Sequence, residues 1–394
     1  MKNLKRQVLQ IYRKRECRQV VIAIGIIVVM IMSMFTAAII MIRKQSKRTD
    51  PEYFHTYMQQ PGTNFSFSLK HNGNEQCSIR EHQKMPLAST VKLIIAVEFA
   101  RQISEGQLNK NEQISLTELD LYYIPNTDGG AHPEWLSQVK QKQLIHNDHV
   151  KLIEVAKGMM AFSSNANTEY LLRRLGLDAI NQQLALLNLR DHDDLYHFCA
   201  AVMIPAYLEE QCEKGQVLDK LTKMSHEEYV LLAGQLADEL ADGKLQELKQ
   251  KVMPMSENLQ RIWSDRLPRG TTSDYLHLLE FINQKTILPK NMQAVFDEIV
   301  ETAMTNPRNQ TWLKHAGQKG GSTKWVFTLA AYFTDHQDNT IELVFFSNDL
   351  EPLQLMKLQE NANEFMVKIV KDQEFLKACA KVNREYVVLL NKAE

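Results

Sequence analysis

The chain has 394 residues, 44% of them hydrophobic and 24% charged, with 46 Lys and Arg set against 47 Asp and Glu. That length can bury a large core and suits one large domain or two modest ones. The balanced charge, without a basic stripe interleaved with aromatics, removes nucleic acid as an expected partner, and five cysteines with no CxxC pair or finger spacing give a zinc site no support.

Residues 1–18 form a basic tail, with Lys2, Lys5, Arg6, Arg13, Lys14, Arg15 and Arg18 against Glu16. Residues 19–42, "QVVIAIGIIVVMIMSMFTAAIIMI", hold no charge and are long enough as a helix to cross a hydrocarbon core of about 30 Å. A signal peptide would have a shorter apolar stretch and a small-x-small cleavage site, and "IIMIRKQSK" has none. An uncleaved transmembrane helix in the lipid bilayer is therefore expected. The more basic N-terminal flank favours a cytoplasmic N-terminus, with the rest of the chain outside the cell. Cys17 would lie inside. Cys77, Cys199, Cys212 and Cys379 would lie outside, where three pairings are open, although a core of this size needs no disulfide.

Residues 43–60 read as a polar juxtamembrane stretch with a short helix near Tyr53 to Met58. "FSFSLKH" then alternates Phe65, Phe67 and Leu69 on one face of a strand, and "HNGN" followed by "EQCSIRE" reads as a hairpin return. From Pro86 the period turns helical, with helices expected near 89–105, 134–143, 150–161, 165–175, 177–188, 225–241, 243–252, 274–283 and 290–303. "KWVFTLAAYFTD" and "TIELVFFSND" are β-rich, and an amphipathic helix follows from "PLQLMKLQ" onward. This order predicts an α/β (α+β) domain over 61–394. Its antiparallel sheet comes from both chain ends, about 61–85 and 310–394, and is covered by terminal helices. An all-helical lobe, about 86–309, is inserted between them.

Three motifs carry chemistry. In "MPLASTVKLIIAVEFA", Ser89 sits in the first turn of a helix, where free N–H groups and the dipole favour an oxyanion, and Lys92 at i+3 shares its face. The apolar helix would desolvate that amine and lower its pKa, as a lysine base requires. A helix cap and a snorkelling lysine are the plainer reading of this pair, and Ser137 to Lys140 shows that the spacing is cheap. "SSN", Ser163 to Asn165, places a hydroxyl and an amide at a helix junction, although Ser256 to Asn258 repeats the pattern. "KGGS", Lys319 to Ser322, opens a strand, and the paired glycines Gly320 and Gly321 let a ligand approach the backbone.

In this order the three motifs resemble those of penicillin-recognising serine hydrolases, the class A β-lactamase and penicillin-binding-protein superfamily, over about residues 51–394. The resemblance implies that Ser89 is the acylated nucleophile and Lys92 its base or relay. Ser163 would pass a proton to the leaving nitrogen, Asn165 would hold the substrate amide, and Lys319 would attract a carboxylate. The N–H groups of Ser89 and Ser322 would form the oxyanion hole, with Gly321 beside them. No cofactor is implied.

Three departures qualify the resemblance. Gly320 replaces the family's Thr or Ser, so Ser322 or Thr323 would have to supply that hydroxyl, and Ser164 stands where class A enzymes usually carry Asp. The glutamate that activates water in class A enzymes has only Glu257 as a positional match, without the usual Glu-Pro-Glu-Leu-Asn, and a solvated helix-start charge is the plainer reading of it. The interval from Asn165 to Thr271 looks about twice the family's length. Within it, His192, Asp193, Asp194 and His197 read as a polar surface loop rather than a metal set, and "HEEYVLLAGQLADEL" as a helix packed on the lobe. Tyr122 or Tyr123 could reach the cleft rim or simply pack inward.

The expected activity is that of a membrane-anchored extracytoplasmic serine hydrolase acting on a β-lactam or a related amide or ester. A D-alanyl-D-alanine carboxypeptidase or transpeptidase of cell-wall peptide is the alternative enzyme. A β-lactam or peptidoglycan sensor with negligible turnover is the alternative without catalysis, and the short N-terminal tail argues against it. The oligomeric state is left open.

Overall fold

Strands from both ends of the chain build the sheet. In the computed structural model, which describes residues 49–213 and 215–382, β1 (Asn64–His71) and β2 (Asn74–Ile79) form a hairpin. β3 (Leu313–Ser322), β4 (Phe327–Asp335) and β5 (Thr340–Asn348) form a meander. Pairing of β1 with β5 gives an antiparallel order β2-β1-β5-β4-β3. The hairpin turn is set by Asn72 and Gly73, whose φ angles of 51° and 71° are the left-handed pair that a two-residue loop needs.

One face of the sheet is aromatic. Phe65, Phe67 and Leu69 point into it from alternate positions of β1 and are fully buried. The cover comes from α1 (Tyr53–Met58), the long helix α9 (Pro352–Lys371) and the helical residues 373–382 that follow it, which add Phe375, Leu376 and Cys379 to the same core. Phe54 of α1 stacks on Phe365 of α9 with ring centroids 4.3 Å apart and meets Phe345 edge-on at 5.0 Å. The helix expected in the juxtamembrane stretch thus belongs to the sheet core, and the folded domain begins before residue 61. The transmembrane span expected at 19–42 and the basic tail lie outside the described residues. Among the described residues no helix is long and apolar enough to cross a membrane.

The other face of the sheet is seamed with polar contacts. It carries α7 (Thr272–Asn283), which crosses β1, β4 and β5. Ser66 and Ser68 of β1 both reach Thr272 Oγ1, at 2.6 and 2.9 Å, and Asn283 Nδ2 donates to Glu342 Oε1 at 2.6 Å. Beyond α7 lies the helical lobe, centred on α2 (Lys92–Ser104), whose residues Leu93 to Ala100 are all buried. A helix apolar on every side must be surrounded. The helices that surround it are α4 (Asn165–Leu175), α5 (Leu177–Leu186) and α8 (Lys290–Val300). Glu98, the one carboxylate on this buried stretch, is held by a two-point contact with Arg101 and by the amides of Gln102 and Gln183.

Several expected helices change shape. The run at 150–161 starts as a short strand, His149–Lys151, paired with Gln113–Ser115. It then becomes a helix, Leu152–Lys157, and ends in a wide π-type turn, Gly158–Phe162. The helix expected at 243–252 is only Gln246–Lys249. Lys319 to Ser322 closes β3 instead of opening a strand. The preceding "LKHAGQ" has no β-branched residue, and its strand character comes from pairing with β4. None of the four described cysteines, Cys77, Cys199, Cys212 and Cys379, is in a disulfide.

Glu342 supplies a test of the polar seam. Burial pushes its carboxyl up to about 7, and its Oε2 has no hydrogen-bond partner among the described residues. A carboxyl raised above its unfolded value loses stability as pH climbs from about 4.5 through 7. Glu342→Gln should therefore stabilise the protein by about 1–3 kcal/mol at pH 8 and by little at pH 5, read by denaturant unfolding at both pH values.

Candidate active site

Ser89 lies in a tight turn, Ala88–Val91, that runs directly into α2. Lys92, one turn on, is fully buried, and its amine faces the end of the π-type turn. Lys92 Nζ donates to Ser163 O at 2.7 Å, Ser163 Oγ at 3.2 Å and Asn165 Oδ1 at 3.0 Å. Burial lowers its pKa to about 8, against smaller opposing influences from Cys199 and Asp128. Among the described contacts none joins Lys92 to Ser89 Oγ. Once neutral, the amine keeps two donors and gains a lone pair for the hydroxyl one turn away.

Ser163 reaches this position because the π-type turn leaves it left-handed, with φ of 69°. Its hydroxyl oxygen also accepts from Lys319 Nζ at 3.1 Å. With two amines on one oxygen, the Ser163 proton is directed elsewhere. Lys319 is itself buried, donates to Gly320 O at 2.7 Å, and is pushed well below the ordinary lysine range by burial and then by the charge of Lys92.

Ser164 turns away from the cleft. Its Oγ caps α4 by accepting from Asn167 N at 3.2 Å, donates to Asn167 Oδ1 at 3.1 Å and meets His132 Nδ1 at 2.9 Å. Asn167 Nδ2 bonds to Val155 O, which fixes the amide orientation, so Ser164 must donate to Asn167 Oδ1 and His132 must carry its proton on Nδ1. Where class A enzymes carry Asp, this chain has a buried helix cap. Asn165, at the head of α4, turns its Oδ1 to Lys92 and lines the cleft.

Strand β3 closes the other side. A Cβ on Gly321 would lie 2.4 Å from Ser89 N and 2.8 Å from Thr328 Oγ1, so the strand sits against the turn that carries Ser89 as closely as backbone allows. Thr328 Oγ1 donates to Leu87 O at 2.9 Å, and Thr90 Oγ1 meets it at 2.7 Å. Thr323 N–H bonds to Val326 O across the turn, so by ladder alternation Gly321 faces β4 and Ser322 N–H faces away from it. Ser322 lines the cleft, and its Oγ accepts from Gln359 at 3.0 Å. Thr323 Oγ1 accepts from the N–H groups of Trp325 and Val326 and pairs with Ser264, so its hydroxyl is committed to the turn.

The cleft that joins these groups has a volume of about 530 Å³. Its lining includes Ser89, Ser163, Asn165 and Gly320 to Lys324, whereas Glu257 is not part of it. Glu257 stands exposed in the first turn of α6 (Glu257–Asp265) and pairs with Lys324 at 2.9 Å, as a solvated helix-start charge does. Asn126 to Gly129 form the rim. Tyr122 packs edge-on against Tyr170, and Tyr123 stacks on His132, so the two tyrosines pack inward. His192 is tied to Asp193 O and Tyr275, Asp193 to Lys84, and His197 to the buried Glu169. These residues do not converge on a metal site among the described residues.

A wall of the cleft comes from the long interval after Asn165, through Phe198, Cys199, Val202, Met253, Met255 and Trp263. Sequence reasoning missed this wall because its residues read as core. The nearest available signal was the unusual length of the interval.

A family model described as the β-lactamase enzyme family matches residues 52–319, and the chain belongs to that family. Among solved structures, a β-lactamase from Sphaerobacter thermophilus is 15% identical with a TM-score of 0.50, covering 81% of this chain and 96% of that one. A β-lactamase from Chitinophaga pinensis is 14% identical with a TM-score of 0.47, covering 82% and 98%. A point mutant of PBP-A, in an acyl-enzyme complex with penicillin G, is 16% identical with a TM-score of 0.46, covering 80% and 94%. The likeness to the Sphaerobacter thermophilus enzyme is one of fold. No curated protein matches the sequence.

The two glycines of β3 should respond differently to substitution. Gly321→Ala should cost about 1–3 kcal/mol, because the backbone of the Ser89 turn must move. Gly320→Ala, whose Cβ would lie 3.4 Å from Thr328 O, should stay within about 0.5 kcal/mol of the parent in thermal or denaturant unfolding.

Proposed function

We propose that this protein is a membrane-anchored, extracytoplasmic serine hydrolase that forms an acyl-enzyme through Ser89 on a β-lactam or a related amide or ester. The observation that carries the reading is the buried Lys92 amine, with its pKa lowered to about 8 and bound to both Ser163 and Asn165 beside the nucleophile turn. The anchor rests on the uncharged residues 19–42 and their basic flanks.

In the proposed reaction neutral Lys92 takes the Ser89 proton as Oγ attacks the carbonyl carbon. The oxyanion is held by the N–H groups of Ser89 and Ser322. The bond to the leaving nitrogen or oxygen then breaks, and Ser163 delivers its proton to the leaving atom and is replenished from Lys92. Lys319 donates to Ser163 Oγ and holds that hydroxyl in place, while burial and a charged Lys92 disfavour its own ammonium form. At pH 7 on the order of a tenth of the Lys92 amines would be neutral, enough to sustain the step.

Among the described residues the carboxylate in the cleft lining is Asp128, which accepts from the N–H groups of Gly130 and His132 where the following helix, α3 (Ala131–Gln141), begins. With Glu257 outside the lining, the cleft lacks, among the described residues, a carboxylate free to activate water. That favours a persistent acyl-enzyme and keeps a D-alanyl-D-alanine carboxypeptidase or transpeptidase of cell-wall peptide as the second reading.

Labelled penicillin tests the reading. The full-length protein should take up label that persists after free penicillin is removed, Ser89→Ala should take up none, and Glu257→Gln should leave the decay of label unchanged. Rapid decay that slows in the Glu257 variant would restore the β-lactamase reading, and label on the Ser89 variant would remove the nucleophile. The acylation rate should rise about tenfold per pH unit up to about pH 8 and then level, because the neutral amine is the active form.

A further inference from the structure

The wall supplied by the long interval has a chemistry of its own. Phe198, Val202, Met253, Met255, Trp263 and Leu267 line the cleft that contains Ser89. The same interval adds Cys199, whose thiol burial keeps protonated, and Gln260, whose amide is tied to Met255 O at 2.6 Å. It contributes no charged residue to the lining among the described residues. Elsewhere in the lining, the charged residues Asp128 and Lys324 are engaged by backbone N–H groups and by Glu257.

The wall is anchored to the catalytic lobe. Buried Glu169, one turn along α4 from Asn165, accepts from Ala200 N at 3.1 Å and pairs with His197, which fixes the segment carrying Phe198 and Val202. The two methionines give the other half a surface that adapts to different chain shapes. A cleft of about 530 Å³ has room for a drug-sized group beyond the scissile carbonyl.

We propose that this wall is an acyl-chain subsite, so that the protein takes acyl groups bearing an apolar, uncharged chain of about four or more carbons. The inference rests on Ser89 being the acylated residue. With an ester as donor, the Ser89 Oγ–acyl bond forms as the ester C–O bond breaks and the alcohol leaves with a proton. Without a carboxylate base free in the cleft, water releases the carboxylic acid and restores the hydroxyl only slowly, so chain length is read in the acylation step that kcat/KM reports.

The test uses full-length protein and p-nitrophenyl esters of acetic, hexanoic and adipic acids, the last as its mono-ester, each corrected for hydrolysis without protein. A fully buried methylene is worth about a factor of four, so kcat/KM for hexanoate should exceed that for acetate by at least about tenfold. The adipate mono-ester has the same chain length with a terminal charge and should fall to the acetate level or below. Met253→Trp, which fills the wall, should bring the hexanoate to acetate ratio close to one. That ratio is read within a single preparation, so partial misfolding does not mimic the result.

Equal rates for acetate and hexanoate, an adipate rate matching hexanoate, or a ratio unchanged in Met253→Trp would overturn the subsite. Turnover that survives in Ser89→Ala would instead overturn the acyl-enzyme reading beneath it. Ser89-dependent turnover without chain-length preference would leave that reading standing and remove only the subsite.

Discussion

The contact between β3 and the turn that carries Ser89 holds the site together. Gly321 brings the strand against Ser89 N, and Thr90, Thr328 and Leu87 fasten the two across a buried hydroxyl seam. Any side chain at Gly321 would wedge the sheet away from α2. The two N–H groups assigned to the oxyanion, one on the turn and one on the strand edge, would then separate. The position of β3 in turn depends on the meander through β4 and β5, and that depends on the aromatic face under α1 and α9. Both chain ends therefore support a site made largely by the middle of the chain.

Electrostatics make the second constraint. Lys92 and Lys319 are both buried and both reach Ser163 Oγ, and among the described residues no carboxylate hydrogen-bonds to either amine. Two ammonium groups so placed disfavour each other, and burial adds to this, so both amines are held below the ordinary lysine range. Glu98, on the same buried helix, shows the contrasting solution, a charge fully satisfied by Arg101, Gln102 and Gln183. That difference separates a structural ion from a group held ready to change protonation.

The order of the three motifs was readable in the sequence, and so were the strands flanking them, because alternation in "FSFSLKH" and β-richness in "TIELVFFSND" are local signals. Features set by distant partners were not readable. "LKHAGQ" becomes a strand through β4, Ser164 becomes a cap through His132 and Asn167, and Thr323 is drawn into the turn by Ser264. The apolar wall was hidden for another reason. Phe198, Val202 and Met255 are as buried as core residues, and burial in a cleft leaves the same composition as burial in a core.

The short helix α1 has a consequence for where the protein can work. Because Phe54 is stacked between α9 and the sheet, the domain begins almost at once after the expected span. The chain between residues 42 and 53 can extend to at most about 40 Å. Under the proposed anchoring, the cleft would sweep a thin layer next to the bilayer, so molecules carried by the lipid itself would meet it at far higher local concentration than molecules arriving from solution.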